Sequence, residues 1–210
     1  LATINPAGYF RLHDRGAVSP GMLADLITTK DLQDFVVDRV FRRGRQIALQ
    51  GKLTVDLPAA GPELTDTVKS APLDGGRLRV TDTGSLFPVI ALVPGQIVTR
   101  KRMLLPRRSG DEYVSDAERD ILKLVVAERH HATGRIGRGF VTGFGLKRGA
   151  LASSVAHDSH NLVCVGVSDD DILGALRALE RMQGGLVVYA DGAVRAALPL
   201  PVAGLLSPEP

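Results

Sequence analysis

Only one stretch of this chain carries an uninterrupted helical pattern, and that scarcity is what most limits the fold. Ser168 stands three residues before Asp171 in the manner of a capping box, and Asp169, Asp170 and Asp171 place negative charge at the positive end of the helix dipole. Ile172, Leu173, Leu176, Leu179 and Met182 then recur along one helical face until Gly184-Gly185 stops the run. Elsewhere, 23 glycines and 12 prolines in 210 residues favour short strands joined by turns. Strands are expected over 24–28, 35–41 and 46–49, and again over 78–83, 96–103, 139–143, 150–155, 162–167, 186–189 and 194–198. A second helix, or a helix running into a strand, is expected over 117–128. Asn5-Pro6 reads as an N-cap and first helical residue, opening a short helix through Leu12. Composition alone is compatible with α/β or α+β; from Gly76 onward the order of elements is that of an α+β unit.

A hydrophobic content of 44% is enough for an ordinary buried core. The longest apolar stretch, Leu86 to Val93, is interrupted by Pro88 and falls far short of the roughly 20 residues a bilayer helix needs, so no membrane partner is expected. The single cysteine, Cys164, excludes an internal disulfide; set between Val163 and Val165, it reads as a core residue and fits a reducing, cytoplasmic compartment. The first residues lack the basic and apolar segments of a secretory signal and begin with Leu rather than Met, as expected of a chain that starts inside a longer product. Net charge is only +3. The basic clusters at Arg42-Arg43, Arg100-Lys101-Arg102 and Arg107-Arg108 have no interleaved aromatic residues for base stacking, so they read as solvated loops or strand edges, and no nucleic-acid partner is expected. Pro58-Ala59-Ala60-Gly61-Pro62 resembles a linker, with a domain boundary between about Leu53 and Pro72.

Two segments concentrate titratable groups: His130-His131, preceded by Glu128-Arg129, and His157-Asp158-Ser159-His160-Asn161. Imidazole binds metals and moves protons near neutral pH, which makes these residues the candidates for chemistry. In an extended segment His157 and His160 would lie on opposite faces, whereas a helix or tight turn would bring them together. A hydrogen-bonded cluster at a loop or interface and a metal site both remain open, as does a plain exposed turn around His130 and His131. Glycines recur from Gly134 through Gly149 and end beside Lys147-Arg148, offering backbone amides and positive charge; Gly143, Gly145 and Lys147 are candidates for a ligand-covering loop, with turns between strands as the other reading. The spacing matches neither a P-loop nor a dinucleotide fingerprint. Ser153-Ser154 lack a nucleophile elbow, and one cysteine excludes the zinc pattern of the cytidine-deaminase type.

Three stretches together resemble one family. Ala2-Thr3-Ile4-Asn5-Pro6-Ala7, then Gly16-Ala17-Val18, Pro20-Gly21 and Ala24-Asp25-Leu26, then Val40-Phe41 and Gly44, are similar to the exit from an amidohydrolase barrel into its composite β-sandwich. Arg129 to Gly134, Gly143 to Ala150, and Ser153 to Asn161 resemble the C-terminal domain of bacterial and archaeal adenine deaminases, and Leu198-Pro199-Leu200-Pro201-Val202-Ala203-Gly204-Leu205 continues the likeness. The resemblance implies an α+β chain divided into the last helix of a barrel (1–15), part of a β-sandwich (16–55), a linker (56–74) and the C-terminal domain (75–210).

It also implies hydrolysis of adenine to hypoxanthine and ammonia by a water activated on a divalent metal, manganese or iron. The family's metal ligands would lie upstream of Leu1, so no catalytic or metal-binding residue is assigned within this chain, and the chain alone is expected to be inactive. His130, His131, His157, Asp158, His160 and Asn161 would then line or close the active site. The resemblance further implies adenine as substrate, purine salvage as context, and a homo-oligomer. The reading from another class is a non-catalytic oligomerisation or docking module behind a hydrolase.

Overall fold

The computed structural model describes residues 2–56 and 64–209 and divides into two compact units, Leu1–Gly61 and Pro62–Pro210. The proposed linker Pro58 to Pro62 lies outside the described residues. The structure is mixed and strand-rich, with few helices. Among the described residues no helix is long and apolar enough to cross a membrane.

The first unit opens with α1 (Ile4–Tyr9), followed by β1 (Leu26–Thr29), β2 (Val37–Arg42), β3 (Arg45–Leu49) and β4 (Lys52–Leu53), which pair antiparallel in that order. The three strands expected from sequence are present. The β2–β3 hairpin turns on Arg43 and Gly44, both at positive φ, as a two-residue loop whose twist matches its strands requires. The cap of α1 differs from expectation: Thr3, not Asn5, precedes the helix and makes no side-chain cap bond. Pro6 falls in the first turn, where its missing N–H costs no intrahelical bond.

The second unit begins with a 3-10 turn (Gly75–Leu78). Then come β5 (Val80–Thr81), β6 (Phe87–Leu92), β7 (Thr99–Leu104), β8 (Arg107–Ser109) and β9 (Glu112–Val114). The chain continues through β10 (Leu122–Ala127), β11 (Ile136–Thr142), β12 (Ala150–Ser153), β13 (Leu162–Gly166), α2 (Asp169–Arg181), β14 (Gly185–Ala190) and β15 (Ala193–Pro199). Eight strands form one sheet in the order β15-β14-β12-β13-β10-β11-β6-β7, while β5, β9 and β8 make a small separate sheet. Only the β11–β6 pair is parallel within the large sheet.

Helix α2 forms as its sequence predicts: the Ser168 hydroxyl accepts from the Asp171 amide at 3.2 Å. Its apolar face packs on one side of the sheet, where Ile172, Leu176 and Leu179 meet Val125, Leu162 and Cys164 in the main core. The opposite side of the sheet is also apolar. Register places Ala196, Val188, Leu151, Val165, Leu124 and Gly139 in one row across six strands.

Two expectations need correction, and one strand was not expected. Residues 117–128 are not helical: Asp116 and Ile121 bridge across a turn in which the Asp116 carboxylate accepts from the Glu118 and Arg119 amides, and β10 follows. A short apolar run does not distinguish helix from buried strand by period alone, and here Leu124 and Val125 face opposite sides of a sheet covered by apolar side chains. The strand expected from Leu78 shrinks to Val80–Thr81, because Asp74 caps the preceding 3-10 turn through the Arg77 amide. Conversely, 87–92 is a strand despite Pro88. Its pairing with β11 covers only Val89 to Ala91, so Pro88 removes no donor from that ladder.

Candidate functional site

Strand register sorts the candidate residues onto two ends of the large sheet. Ala127 pairs with both Ile136 and Leu162, so the β10–β11 turn carrying His130 and His131 lies beside the segment that enters β13, which carries His157 to Asn161. Gly143, Gly145 and Lys147 follow the other end of β11. Six or so residues at about 3.3 Å each put them roughly 20 Å away.

The first histidine segment is wired by Glu128. Its carboxylate accepts from the amides of His130, His131 and Thr133 and from the Thr133 hydroxyl. Partial desolvation acts to raise its pKa, but the Thr133 and His131 amides, the Thr133 hydroxyl and the His130 amide outweigh it and hold the group at about 2. The turn is thus built around a carboxylate that stays ionised at neutral pH, and both imidazoles project from it exposed.

The second segment is a tight turn in which the His160 amide donates to the Ala156 carbonyl at 2.6 Å. The turn brings the His157 and His160 rings to 4.8 Å between centroids, edge to face. His157 and Asp158 are exposed, while His160 and Asn161 are half-buried. His160 Nδ1 and Asn161 Oδ1 are buried without a hydrogen-bond partner. The two segments touch: His130 Nε2 lies 2.9 Å from the Ser159 carbonyl.

Beneath both sits Arg129, a residue 2% exposed. Its guanidinium donates to the carbonyls of His160 and Ala203 and reaches the Thr67 hydroxyl at 3.5 Å. No carboxylate pairs with it among these contacts, and burial pushes its pKa down. Ser154, fully buried, extends the same framework by accepting from the Gly185 amide and donating to the Gly204 carbonyl, a structural use that leaves no free nucleophile.

At the far end, the Asp120 carboxylate accepts from the Gly143 amide at 2.6 Å and the Gly145 amide at 2.8 Å, and Lys147 Nζ donates to the Ala117 carbonyl at 2.9 Å. The two amides are therefore occupied by the protein itself, and the exposed ammonium gives it one of its three donors. Of the glycine-rich stretch, Gly137 and Gly139 lie inside β11, whereas Gly143, Gly145 and Gly149 take the positive φ of a connecting loop. Leu146 packs against Leu122, Val141 and Val165.

Glu128 and Arg129 entered the sequence reading only as the residues before the two histidines, with no role of their own, and Asp120 did not enter it. The available signal for Arg129 was its place directly after an apolar strand, which puts a long cation at the edge of a core. Another such signal is Lys123, alone in the run Leu122 to Ala127: it is 1% exposed and bound to Asp169 at 2.6 Å.

Among the described residues no group of three or more His, Cys, Asp or Glu side chains could hold a metal ion. His157 and His160 provide two imidazoles, and the nearby Glu128 carboxylate is committed to its own turn. This donor set does not fit a resident divalent metal.

The family model for the adenine deaminase C-terminal domain matches residues 96–210, which include both histidine segments and the glycine-rich loop. The chain belongs to this family. It is similar along its whole length, at 46% identity, to the adenine deaminase of Dehalococcoides mccartyi strain 195, of which it covers 37%. It is likewise 46% identical over 99% of its length to adenine deaminase 2 of Carboxydothermus hydrogenoformans and 45% identical to the adenine deaminase of Methanothrix thermoacetophila, covering 36% of each. An adenine deaminase C-terminal domain thus accounts for the second unit from β7 onward, and the chain spans little more than a third of the relatives it matches.

Proposed function

We propose that this chain is the C-terminal part of an adenine deaminase and that its histidine end lines or closes over the purine site of the whole enzyme. The reaction is hydrolysis of adenine to hypoxanthine and ammonia. One observation carries the proposed role: two segments distant in sequence meet at one end of the sheet and present exposed imidazoles from turns held by Glu128 and Arg129. Whole-length similarity to proteins named adenine deaminase supports the activity.

The divalent metal, manganese or iron, belongs on this reading to a barrel outside these residues, and it supplies the activated water. No step is assigned to it here, because the described residues lack a ligand set for it. What the chain contributes is positioning. Imidazoles at His130, His131 and His157 offer hydrogen-bond donors and acceptors, and a turn seated over a pocket excludes water. The antiparallel sheet of the first unit supports reading 16–55 as part of a composite sandwich, with 1–15 as the last barrel helix, 56–74 as a linker and 75–210 as the C-terminal domain. Cys164, buried and unpaired, its thiol pKa pushed up by burial, supports a cytoplasmic compartment.

The test is substitution of His130 or His157 by Ala in a deaminase that includes the barrel. Turnover of adenine is expected to fall while the melting temperature stays within about a degree. Unchanged kinetics with a large loss of stability would give these residues a structural role. The 210-residue chain alone is expected to release no ammonia from adenine, and robust metal-dependent release would overturn the division of labour proposed here.

A further inference from the structure

The sheet of the first unit carries a charge arrangement that the proposed histidine site does not use. Register sets Arg42 directly opposite Arg45 where the β2–β3 hairpin closes, and Arg43 occupies the turn between them. Side chains opposed in this way leave one face of a sheet with Cβ atoms about 5 Å apart, and like charges so placed repel. Arg15 and Arg39 of the same unit, by contrast, pair with Asp14, Asp25 and Asp38. Among the described residues no carboxylate pairs with Arg42, Arg43 or Arg45, and only the main-chain amide of Arg43 bonds to a side chain. The turn is fixed in place: the Arg43 amide donates to Asp25 Oδ1 at 2.7 Å and the Gly44 amide to the Ala24 carbonyl at 2.9 Å. On the other side, the Thr54 amide donates to the Ile47 carbonyl at 2.9 Å, which brings Val55 and Asp56 alongside β3. An open cavity of about 390 Å³ lies here, lined by the three arginines, Ile47, Val55 and Asp56.

We infer that this cavity binds a phosphate monoester. Three guanidiniums against one carboxylate leave its lining with two positive charges in excess, and a phosphate monoester carries about −1.5 to −2 near pH 7. Guanidinium is planar and presents paired N–H donors that match phosphate oxygens two at a time. An anion seated between Arg42 and Arg45 replaces their mutual repulsion with attraction to a shared partner. Arg43, whose charge also acts on Asp14, stands at the margin of the site. The half-buried Ile47 and Val55 supply an apolar wall for the organic body of an ester, and the Asp56 carboxylate disfavours a second phosphate. A polynucleotide would need aromatic platforms or a longer basic track, and the lining has no aromatic residue.

Titration calorimetry of the 210-residue chain with phenyl phosphate, against sodium chloride at equal ionic strength, is expected to show saturable binding. Arg42→Ala and Arg45→Ala should each weaken it about tenfold or more, Arg45→Lys, which keeps the charge but not the fork, about threefold, and Arg39→Ala not at all. Inorganic phosphate should bind several-fold more weakly than phenyl phosphate, and Ile47→Ala should remove that difference. Without ligand, neither Ala variant should melt below the parent chain, because each removes one member of a like-charge pair. A lower melting temperature in both would assign the two arginines to the fold and overturn the inference. So would heats that chloride reproduces, an affinity unchanged in both Ala variants, or equal affinity for phosphate and its ester.

Discussion

The guanidinium of Arg129 donates to the main-chain carbonyl of His160, joining from beneath two histidine segments that lie some thirty residues apart in sequence. This bond, with the His130 contact to Ser159, turns separate loops into one surface. A second arm of the same guanidinium donates to Ala203, so the C-terminal segment is held by the same side chain.

Removing that side chain is expected to be costly. Arg129→Ala strands the carbonyls of His160 and Ala203 and leaves a cavity, for an expected loss of about 2–4 kcal/mol. Gly204 tests the same junction from the other side. A Cβ there would stand 2.5 Å from Arg129 Nη1, at a φ of +70° that side chains rarely adopt. Gly204→Ala is expected to cost about 1–3 kcal/mol, and less in the Arg129→Ala background, because half of the conflict is then gone. Chemical denaturation of the two single variants and the double variant measures both terms.

Glu128 predicts a pH dependence with a definite sign. Its folded-state pKa, about 2, lies below the ordinary value of about 4.3, so its contribution is fully present above the unfolded value and is lost as pH falls through the folded one. The difference in melting temperature between wild type and Glu128→Gln should be constant from about pH 7 to pH 5, narrow below about pH 4.3 and vanish near pH 2. A difference that grows on acidification would show that the carboxylate does not organise the turn.

Lys123 and Asp169 separate the value of an ion pair from the cost of breaking one. Lys123→Met keeps the packing and removes the need for a partner, so stability is expected to change by less than about 1 kcal/mol. Asp169→Ala takes from a buried ammonium the carboxylate that receives both of its hydrogen bonds and should cost about 2 kcal/mol, moderated by the partial exposure of the carboxylate. Urea midpoints for the two variants provide the comparison, and equal losses would contradict it.

Asp120→Ala addresses the loop at the far end. With the acceptor for the Gly143 and Gly145 amides removed, exchange at those two positions should accelerate about tenfold or more, the equivalent of one charge-assisted hydrogen bond. Exchange at the His131 and Thr133 amides should be unchanged, since the strands between the two ends remain paired.

Much of the local structure was legible in the sequence. Ser168, the aspartates behind it and the glycines at 184 and 185 define α2 because capping and periodicity act within a few residues. Most strands were legible too, with ends shifted by a few residues. The failures have a common origin. Residues 117–128 combine an Asp-rich turn with an apolar strand, and only a neighbour on each side decides between helix and strand for such a run. The strand over 87–92 was not expected, because the short reach of the β11 ladder, which leaves Pro88 outside it, is not a property of the segment that contains it.

The candidate site divides in the same way. Sequence by itself determined the helix, the turn chemistry, the stock of imidazoles and the family, since each of these resides in residue types at short spacing. Tertiary structure alone decided that His130 meets the 157–161 turn, that Arg129 is buried beneath both, and that Gly143 to Lys147 lies at the other end, where Leu146 covers Leu122, Val141 and Val165. The physical reason is register: strand pairing between distant segments assigns every side chain to a face and an end, and no local pattern carries that information.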